Sequence, residues 1–371
     1  MPRRVLIAGG GTAGHVFPGL ALAGTLAGRG HDVAFVGTSR GLEGTLVPAA
    51  GFEFHPVEAR PLVRRVSLAA VRAPFVAVAA VNECRRIVQH ADVLVGMGGY
   101  VSVSSILAAQ RERVPVVLHE QNAVPGLANG WLSRISAAVA LSFADAARMF
   151  PRRRRLVVTG NPVRQEILRV PEERGALRVA GNRALGLEDG RRTIVIFGGS
   201  QGALHIDQAA AGACRILAGR SDLQVVLISG PAHQEAIRRG LPTDAGILVR
   251  LFGYVERMDL AYAGADLIVG RAGATSIAEI SVCGLPALLI PYPYATRQHQ
   301  EANARAFQRA GGASVMLDDQ LSAESLARRI ENLIDRAERL KAMSDRSAAF
   351  GRPDAADRLA DLVVDVGELG R

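Results

Sequence analysis

Short runs of β-branched and other apolar residues alternate with longer, alanine-rich amphipathic stretches along the chain. Near-continuous apolar strands joined by helical crossovers are typical of parallel sheets covered by helices on both faces. In the first half, the pattern predicts strands at Val5–Ala8, Val33–Val36, Val93–Val95, Val116–Leu118, Ala138–Leu141 and Leu156–Thr159. In the second half, it predicts strands at Thr193–Phe197, Gln224–Ile228, Leu248–Phe252, Leu267–Val269 and Ala287–Ile290.

Each half opens with a strand, a glycine cluster and a helix, at VLIAGGGTAGHVFPGLALA and at IVIFGGSQGALHIDQAA. This weak duplication predicts two doubly wound α/β domains, over residues 1–160 and 161–350, joined at the turn signal Gly160-Asn161-Pro162. A C-terminal segment, 351–371, contains a predicted helix at Pro353–Val366 that is a candidate to pack back on the first domain, although the sequence leaves its docking open. Ligands bind beyond the carboxyl ends of parallel strands, so we expect a ligand cleft between two facing domains.

The charge of the chain is divided unequally between its halves. The net charge is +9, and residues 1–160 carry 18 arginines against nine acidic residues, so the first half holds the whole excess. Such a surface suits nucleic acid, an anionic membrane or a phosphorylated ligand, although an arginine-rich genome gives the same bias. Nucleic acid is disfavoured, because aromatic residues make up only 5% and do not alternate with basic ones.

Cysteine usage and hydropathy indicate a soluble or peripheral protein of a reducing compartment. Cys84, Cys214 and Cys283 are far apart, which argues against a disulfide framework or a zinc site. The first apolar run is too short for a signal peptide, and no run of about 18 apolar residues predicts a membrane span. The arginine-flanked run Leu62–Val81 fits either a helix in an anionic membrane interface or an ordinary core helix, and Arg152–Arg155 either extends that basic surface or forms a solvated turn.

The first glycine segment, Gly9–Gly14, follows a predicted strand and matches G-x-G-x-x-G. Alone it predicts dinucleotide binding, but the second strand ends without an acidic residue for the ribose, which disfavours a nicotinamide enzyme. Its amides at a helix N-terminus still suit a phosphate. His15 follows directly, and it fits equally well a general base for a sugar hydroxyl or a helix-start histidine bonded to backbone.

Four further segments follow predicted strands. Gly96–Tyr100 and Gly198–Gly202 are candidate cradles for a pyrophosphate. His119–Asn122 places four polar residues in a row at the edge where ligands are expected. Each of them fits either a ligand contact or a cap on the next segment. Arg271–Glu279 joins small residues to Glu279, whose carboxylate suits two ribose hydroxyls but is also favoured by the dipole of a helix N-terminus.

Other chemistries have little support in the sequence. There is no Asp-x-Asp, and no His/Asp cluster has metal-ligand spacing. The G-x-S-x-G elbow of serine hydrolases is also absent. We therefore expect no metal and no cofactor, and we expect loop amides and a helix dipole to neutralise a diphosphate leaving group.

Taken in order, these motifs resemble the MurG family of bacterial transferases that form lipid II. The resemblance covers almost the whole chain, through GGGTAGHVFPGLALA, GMGGYVS, HEQNAVPGLAN, GNPVR, GGSQGA, GATSIAEI and HQEANA. Several of these segments are weak alone, but the ordered set is specific. The resemblance implies a GT-B fold, with two Rossmann-like domains facing across a cleft, and transfer of GlcNAc from UDP-GlcNAc to the MurNAc of lipid I.

The resemblance also implies roles for individual residues. Val255 would offer backbone groups to uracil, with Arg164 near the base, and Glu279 would hold ribose. Ser200 would bind the diphosphate, while Asn122 and Gln300 would bind the sugar. His15 matches the family's proposed general base. The expected UDP-GlcNAc contacts are Thr12, Ala13, Gly14, Asn122, Arg164, Ser200, Val255, Ala274, Thr275, Ser276, Ile277, Ala278, Glu279 and Gln300, and the expected lipid I contacts are Gly10, Gly11, Gly98, Gly99, Tyr100 and Glu120.

The chain departs from the family pattern at three places. Ala13 stands where many relatives have glycine, and His299 where some have glutamine. Val103-Ser104-Ser105, on the acceptor side, stands where a glycine or proline is common. Leu62–Val81 falls where the family's membrane-facing patch lies, which implies a peripheral protein at the cytoplasmic face of the cell membrane.

The expected reaction is a single displacement with inversion. His15, or a water that it orients, takes the proton of the acceptor 4-hydroxyl, and UDP departs. Three alternatives stay open: a MurG-like transferase with another donor or with another lipid or natural-product acceptor, a UDP-GlcNAc 2-epimerase, and a noncatalytic module that binds anionic lipid.

Overall fold

The computed structural model describes residues 2–58, 79–151, 154–199, 202–243 and 245–369. The chain divides into two compact units. The first comprises Met1–Arg164 and Pro353–Arg371, and the second comprises Gln165–Arg352. Two segments far apart in sequence therefore build the first unit.

In the described part of the first unit, seven strands form one parallel sheet. They are β1 (Arg4–Gly9), β2 (Asp32–Gly37), β3 (Glu53–Pro56), β4 (Val93–Gly98), β5 (Val116–Glu120), β6 (Ala138–Leu141) and β7 (Arg155–Val158). Their order across the sheet is β3-β2-β1-β4-β5-β6-β7.

Helices cover both faces of this sheet. Alternate residues of β1 enter opposite cores: Val5 and Ile7 pack with one group of helices, while Leu6 and Ala8 pack with the other. This is the pattern that a strand buried on both sides produces. The helices are α1 (Ala13–Gly28), α2 (Glu43–Ala49), α3 (79–88), α4 (Gly99–Glu112), α5 (Leu127–Leu132) and the last helix of the chain, α15 (Ala355–Leu369), with a 3₁₀ turn at Ala144–Met149.

The helix α15 belongs to the first unit because its apolar face is buried there. Leu359 and Val363 are fully buried in the core that α1 shares with the sheet. At the edge of this contact, Arg29, the residue that follows α1, donates to Asp361 at 2.7 Å and to Asp357 at 2.6 Å. The sequence predicted this helix but not its place.

The second unit repeats the plan with six parallel strands among its described residues. They are β8 (Arg192–Phe197), β9 (Leu223–Ile228), β10 (Leu248–Phe252), β11 (Leu267–Gly270), β12 (Ala287–Leu289) and β13 (Ala313–Val315), in the order β10-β9-β8-β11-β12-β13. The helices are α6 (Gln165–Leu168), α7 (Val170–Leu185), α8 (Leu204–Ile216), α9 (Gln234–Arg238), α10 (Met258–Gly264), α11 (Ala274–Val282), α12 (His299–Arg309), α13 (Ala323–Ile334) and α14 (Ala337–Phe350), with 3₁₀ turns at Thr296–Gln298 and Asp318–Gln320.

The strand order reverses once in each sheet, between β1 and β4 in the first unit and between β8 and β11 in the second. Loops leaving neighbouring strands diverge at such a switch point, and this divergence opens a crevice beyond the carboxyl ends of the strands. The three glycine segments and the small-residue segment Arg271–Glu279 follow these four strands. The topology thus selects them as the candidate site of each unit.

Candidate active site

In the first unit, the loop after β1 packs backbone to backbone against the loop after β4. A Cβ atom at position 99 would lie 2.7 Å from the carbonyl oxygen of Gly10. Gly11 and Gly99 both have φ of +82°, a left-handed conformation that side chains rarely adopt. Close approach and conformation together therefore require glycine in these loops, whatever they bind.

A buried carboxylate, Glu43 at the start of α2, supports the β1 loop. Glu43 is only 1% exposed. The Gly11 N–H donates to Oε2 at 2.9 Å, while the N–H and hydroxyl of Thr38 donate to Oε1 at 3.0 and 2.7 Å. A Cβ atom at position 10 would lie 2.1 Å from the same carboxylate. The expectation that the amides of this loop are open to a phosphate is therefore wrong for Gly11, whose N–H is already engaged.

His15 lies in the first turn of α1, half-buried beside both loops. Its Nδ1 is 3.0 Å from the hydroxyl oxygen of Thr12 and 3.3 Å from the carbonyl oxygen of Gly10. On the other side of the ring, Nε2 lies so close to Gly98 that a Cβ atom there would be 2.6 Å away. The two descriptions of His15 left open by the sequence are thus compatible, since one nitrogen contacts backbone while the other faces the β4 loop.

Glu120, the last residue of β5, organises the loop that follows it. It is 1% exposed and accepts hydrogen bonds from the backbone N–H of Asn122 (2.9 Å) and Gly126 (3.0 Å) and from the side-chain amides of Asn122 (3.3 Å) and Asn129 (2.9 Å). Burial raises the pKa of this carboxyl, and the four donors oppose that shift. Glu120 is therefore a buried support that holds Asn122 in position.

His119 is also buried, 1% exposed, with Nε2 3.4 Å from the carbonyl oxygen of Gly160 and 3.3 Å from the hydroxyl of Ser142. Burial lowers the pKa of His119 to about 4, so the ring is neutral at pH 7. The structure thus separates the polar residues that the sequence could not rank: His119 and Glu120 are internal supports, and Asn122 is the more accessible side chain.

Two more side chains of the first unit lie near its glycine loops. The guanidinium carbon of Arg164 is 4.5 Å from the ring centroid of Phe17, in the first turns of α1, a cation–π arrangement. Tyr100 opens α4 and is 47% exposed, with its ring edge 3.9 Å from where a Cβ atom on Gly11 would lie. Of these two expected contacts, Tyr100 thus lies beside the β1 loop and Arg164 beside the helix that follows it.

In the second unit, the loop after β8 turns sharply into α8. Gly199 and Gly202 have φ of +95° and +74°, and a Cβ atom on Gly198 would lie 2.3 Å from the Ala203 nitrogen. Ser200, the expected diphosphate contact, lies outside the described residues together with Gln201.

The loop after β11 leads into α11, where the expected ribose residue lies. Glu279 is 5% exposed, and the hydroxyl of Tyr262 donates to its Oε2 at 3.1 Å. Arg271, at the start of this loop, is 8% exposed and donates to the carbonyl oxygens of Ile290 and Pro291, each at 3.2 Å, as well as to the carboxylate of Asp318. Its charge is thus committed to holding neighbouring segments, a role the sequence did not suggest.

The remaining expected donor contacts follow other strands of the second unit. Val255 is 8% exposed, next to Tyr254, which is 66% exposed. Gln300 lies in the first turn of α12, where its side-chain oxygen accepts the Tyr292 N–H at 2.9 Å. This bond orients the amide group of Gln300. The Nδ1 of His299 is 2.8 Å from the Thr296 carbonyl oxygen.

A second buried carboxyl that the sequence did not single out is Asp207, in α8. It is 0% exposed, and neither oxygen has a hydrogen-bond partner among the described residues. Burial raises the pKa of Asp207 to about 7, and the nearby backbone N–H of Ala203 and the positive charge of Arg271 offset only part of that shift. Near neutral pH this group is poised between its neutral and charged forms.

The described residues contain neither a cluster of metal ligands nor a helix that could cross a membrane. No group of three or more His, Cys, Asp or Glu side chains there is arranged to hold a metal ion. None of the helices in those ranges combines the length and the apolar character needed to cross a membrane. Cys84, Cys214 and Cys283 are all buried free thiols.

Comparison with known proteins decides the family. Residues 5–141 match the glycosyltransferase family 28 N-terminal domain, and residues 193–359 match the glycosyltransferase family 28 C-terminal domain. The UDP-N-acetylglucosamine–N-acetylmuramyl-(pentapeptide) pyrophosphoryl-undecaprenol N-acetylglucosamine transferase of Halothermothrix orenii is 38% identical, over 98% of this chain and 99% of its own length. The enzyme of the same name from Acidothermus cellulolyticus is 42% identical, over 97% and 96%. The crystal structure of Acinetobacter baumannii MurG is 29% identical, with a TM-score of 0.78 over 98% of this chain and 100% of that one.

The chain belongs to the MurG family. The expected resemblance is thus confirmed, and so is the fold class, α/β of the GT-B type with two doubly wound units. The motifs shared with this family include the glycine segments at both switch points. They include neither Glu43 nor Asp207.

The structure places the predicted MurG-type site residues in two groups, one per unit. The first unit holds those of the β1, β4 and β5 loops with Arg164, and the second holds those of the β10 and β11 loops with Gln300. Glu43 was missed because an acid at the start of a helix is ordinary. Its only signal is SRGLE, in which a lone acid follows the glycine that ends β2.

Proposed function

We propose that this chain transfers GlcNAc from UDP-GlcNAc to the 4-hydroxyl of MurNAc in lipid I, forming lipid II with inversion at the anomeric carbon. The observation that carries the proposal is the identity of about 40% over nearly the full length of transferases named for this reaction. It favours lipid I over another acceptor and a transferase over a 2-epimerase or a lipid-binding module.

In this proposal, the donor contacts are the residues that the family resemblance implies. Glu279 accepts the ribose hydroxyls, and its bond from Tyr262 supports a fixed carboxylate orientation. Backbone groups of Val255 bind uracil, and Arg164 lies near the base. Ser200 binds the diphosphate, and Asn122 and Gln300 bind the sugar, each through an amide that a neighbouring hydrogen bond orients. The other proposed donor contacts are Thr12, Ala13, Gly14, Ala274, Thr275, Ser276, Ile277 and Ala278.

His15 acts as the general base in the proposed reaction. As the acceptor oxygen forms its bond to the anomeric carbon, the hydroxyl proton passes to His15, and the bond from that carbon to the β-phosphate oxygen breaks, releasing UDP. A positioned base of this kind contributes about 10²–10⁴ in rate. Loop amides and the N-terminus of α8 stabilise the charge that develops on the diphosphate.

The β1 and β4 loops of the first unit bind the acceptor pyrophosphate in this proposal. Gly10, Gly98, Gly99 and Tyr100 supply the contacts. Gly11 contributes through its backbone conformation, because its N–H is bound to Glu43. Glu120 contributes by holding its loop rather than by touching lipid I.

We place the enzyme at the cytoplasmic face of the membrane, bound peripherally through the first unit. The charge excess of that part of the chain supports this, as do Leu127 and Trp131 on α5, which are 66% and 53% exposed. The run Leu62–Val81, the expected membrane patch, lies outside the described residues up to residue 78.

The test is UDP release from UDP-GlcNAc with and without a short-chain lipid I analogue, with the product mass determined and His15→Ala as the control. We expect release that depends on the acceptor and a product heavier by one GlcNAc. Conversion of the donor without acceptor would indicate an epimerase. Donor binding with transfer only to another acceptor would reassign the substrate, and vesicle binding without affinity for UDP-GlcNAc would indicate a lipid-binding module.

A further inference from the structure

We propose that Glu43 is a positioning residue for His15, acting through the single peptide unit that joins Gly10 to Gly11. The inference rests on the proposed function for its consequence in catalysis, but its structural basis is independent of the substrate. Glu43 is 1% exposed and lies in α2, which carries none of the proposed substrate contacts.

The geometry of the peptide unit links the two side chains. The Gly11 N–H donates to Oε2 of Glu43 at 2.9 Å, and the Gly10 carbonyl oxygen lies 3.3 Å from Nδ1 of His15. The N–H and C=O of one trans peptide point in opposite directions. A carboxylate that fixes the N–H on one side therefore fixes the carbonyl that faces His15 on the other.

The carbonyl decides which nitrogen of His15 carries the proton. A carbonyl oxygen only accepts hydrogen bonds, so its contact with Nδ1 requires a proton on Nδ1 and leaves Nε2 as the basic nitrogen. The other neighbour of Nδ1, the hydroxyl of Thr12 at 3.0 Å, either donates or accepts and so selects no tautomer. The selection thus comes from the peptide and, behind it, from Glu43.

This peptide needs such a restraint because it lies between two glycines. Gly11 has φ of +82°, and glycine passes readily between the conformations that rotate a peptide by half a turn. Rotation would direct the Gly10 carbonyl toward the carboxylate and the N–H toward His15. The charge of Glu43, which accepts three donors and has none to offer, opposes that rotation.

The test is Glu43→Gln, which keeps the size of the side chain but turns one acceptor oxygen into a donor. The remaining oxygen satisfies the two donors of Thr38, so the new NH₂ faces Gly11 and favours the rotated peptide. We expect ¹⁵N-detected spectra of the histidine rings, assigned with a His15 variant, to show loss of the pure Nδ1–H tautomer. We also expect kcat to fall about 10- to 100-fold, with the Kd for UDP changed less than about threefold.

Thr38→Val is the matched control, because it removes one donor to the same carboxylate and leaves the Gly11 bond in place. We expect it to lower thermal stability while kcat stays within about threefold and the tautomer is unchanged. If both variants lose kcat in proportion to stability, or if Glu43→Gln keeps the tautomer and kcat, the proposal is overturned.

Thr12→Val provides a second test that does not depend on the folding of a Glu43 variant. It leaves the carbonyl as the oxygen partner of Nδ1, so we expect the Nδ1–H tautomer to persist. Its loss would assign the selection to Thr12 and overturn the proposal. Failure of the proposed function would appear differently, as wild-type protein without transfer to lipid I, and the spectra would still decide the role of Glu43.

Discussion

The glycine loops after β1 and β8 share the plan of strand, glycine cluster and helix, but the buried acids near them are supported differently. Beneath the β1 loop, the carboxylate of Glu43 accepts three hydrogen bonds from Gly11 and Thr38. Close to the β8 loop, the buried carboxyl of Asp207 accepts no hydrogen bond of ordinary geometry from the described residues, and the nearby N–H of Ala203 offsets only part of the cost of burial. A buried acid with donors fixes a backbone, whereas one without them is driven toward its neutral form. The shared motif therefore does not imply a shared role.

The largest expected effect tests whether the two loops differ in function. Each is followed by a histidine early in its helix, His15 in α1 and His205 in α8. We expect His15→Ala to lower kcat about 10²–10⁴-fold, or about 3–5 kcal/mol, with UDP affinity retained. His205 pairs with Asp318 at the surface, so His205→Ala is the matched control and should change kcat less than tenfold. Comparable losses in steady-state assays of both variants would contradict the distinction.

The next effect concerns the buried carboxyl of Asp207. Because the pKa of Asp207 is raised from 3.8 to about 7 in the folded state, the unfolded chain releases this proton first as pH rises. The free energy of unfolding therefore decreases from about pH 4 to pH 7, by about 4 kcal/mol in total. Asp207→Asn should remove this dependence, so that the variant gains stability relative to wild type at pH 8 but not at pH 4. Denaturant melts at both pH values measure the difference in unfolding free energy between the variant and wild type. The same difference at pH 4 and pH 8 would mean that the pKa of Asp207 is not raised in the folded state.

A smaller effect is expected at Glu279, a buried acid of the second unit whose carboxylate accepts a hydrogen bond from Tyr262. Glu279→Gln removes the charge from the proposed ribose contact, and we expect UDP affinity to fall about 10- to 100-fold, or about 1.5–3 kcal/mol. Tyr262→Phe leaves the carboxylate in place and should cost less. Calorimetric titration of UDP distinguishes them, and a greater loss in Tyr262→Phe would make Glu279 a structural residue.

The smallest effect concerns the far end of α1. Arg29 is 33% exposed, and its partners Asp357 and Asp361 on α15 are more exposed still. Pairs of this kind contribute about 0.2–1 kcal/mol. Arg29→Ala should therefore lower the melting temperature slightly, at low salt more than at high salt, and leave kcat unchanged. A clear loss of kcat would show that the β1 loop depends on both ends of its helix.

The sequence predicted every described strand except β3 and β13. The edge strand β3 is partly exposed and polar, and β13, although buried, has only three residues after a glycine pair, so neither shows a strand pattern. The glycine segments predicted where the site lies, because loops after parallel strands gather at the switch point. The support of that site was not predictable in the same way. Glu43 contacts Gly11 across 32 positions, and no local pattern records such a contact.

The place of α15 has a consequence for synthesis on the ribosome. The first unit needs this helix to cover the apolar residues of α1 and of the sheet, such as Leu22 and Val95. These emerge early in translation, but residues 165–352 must be made before their cover exists. The second unit is contiguous in sequence, so it does not need α15 to complete its fold, whereas the first unit does. A chain truncated before residue 355 would thus keep all of its second unit, while the apolar face of its first unit would lie open to solvent.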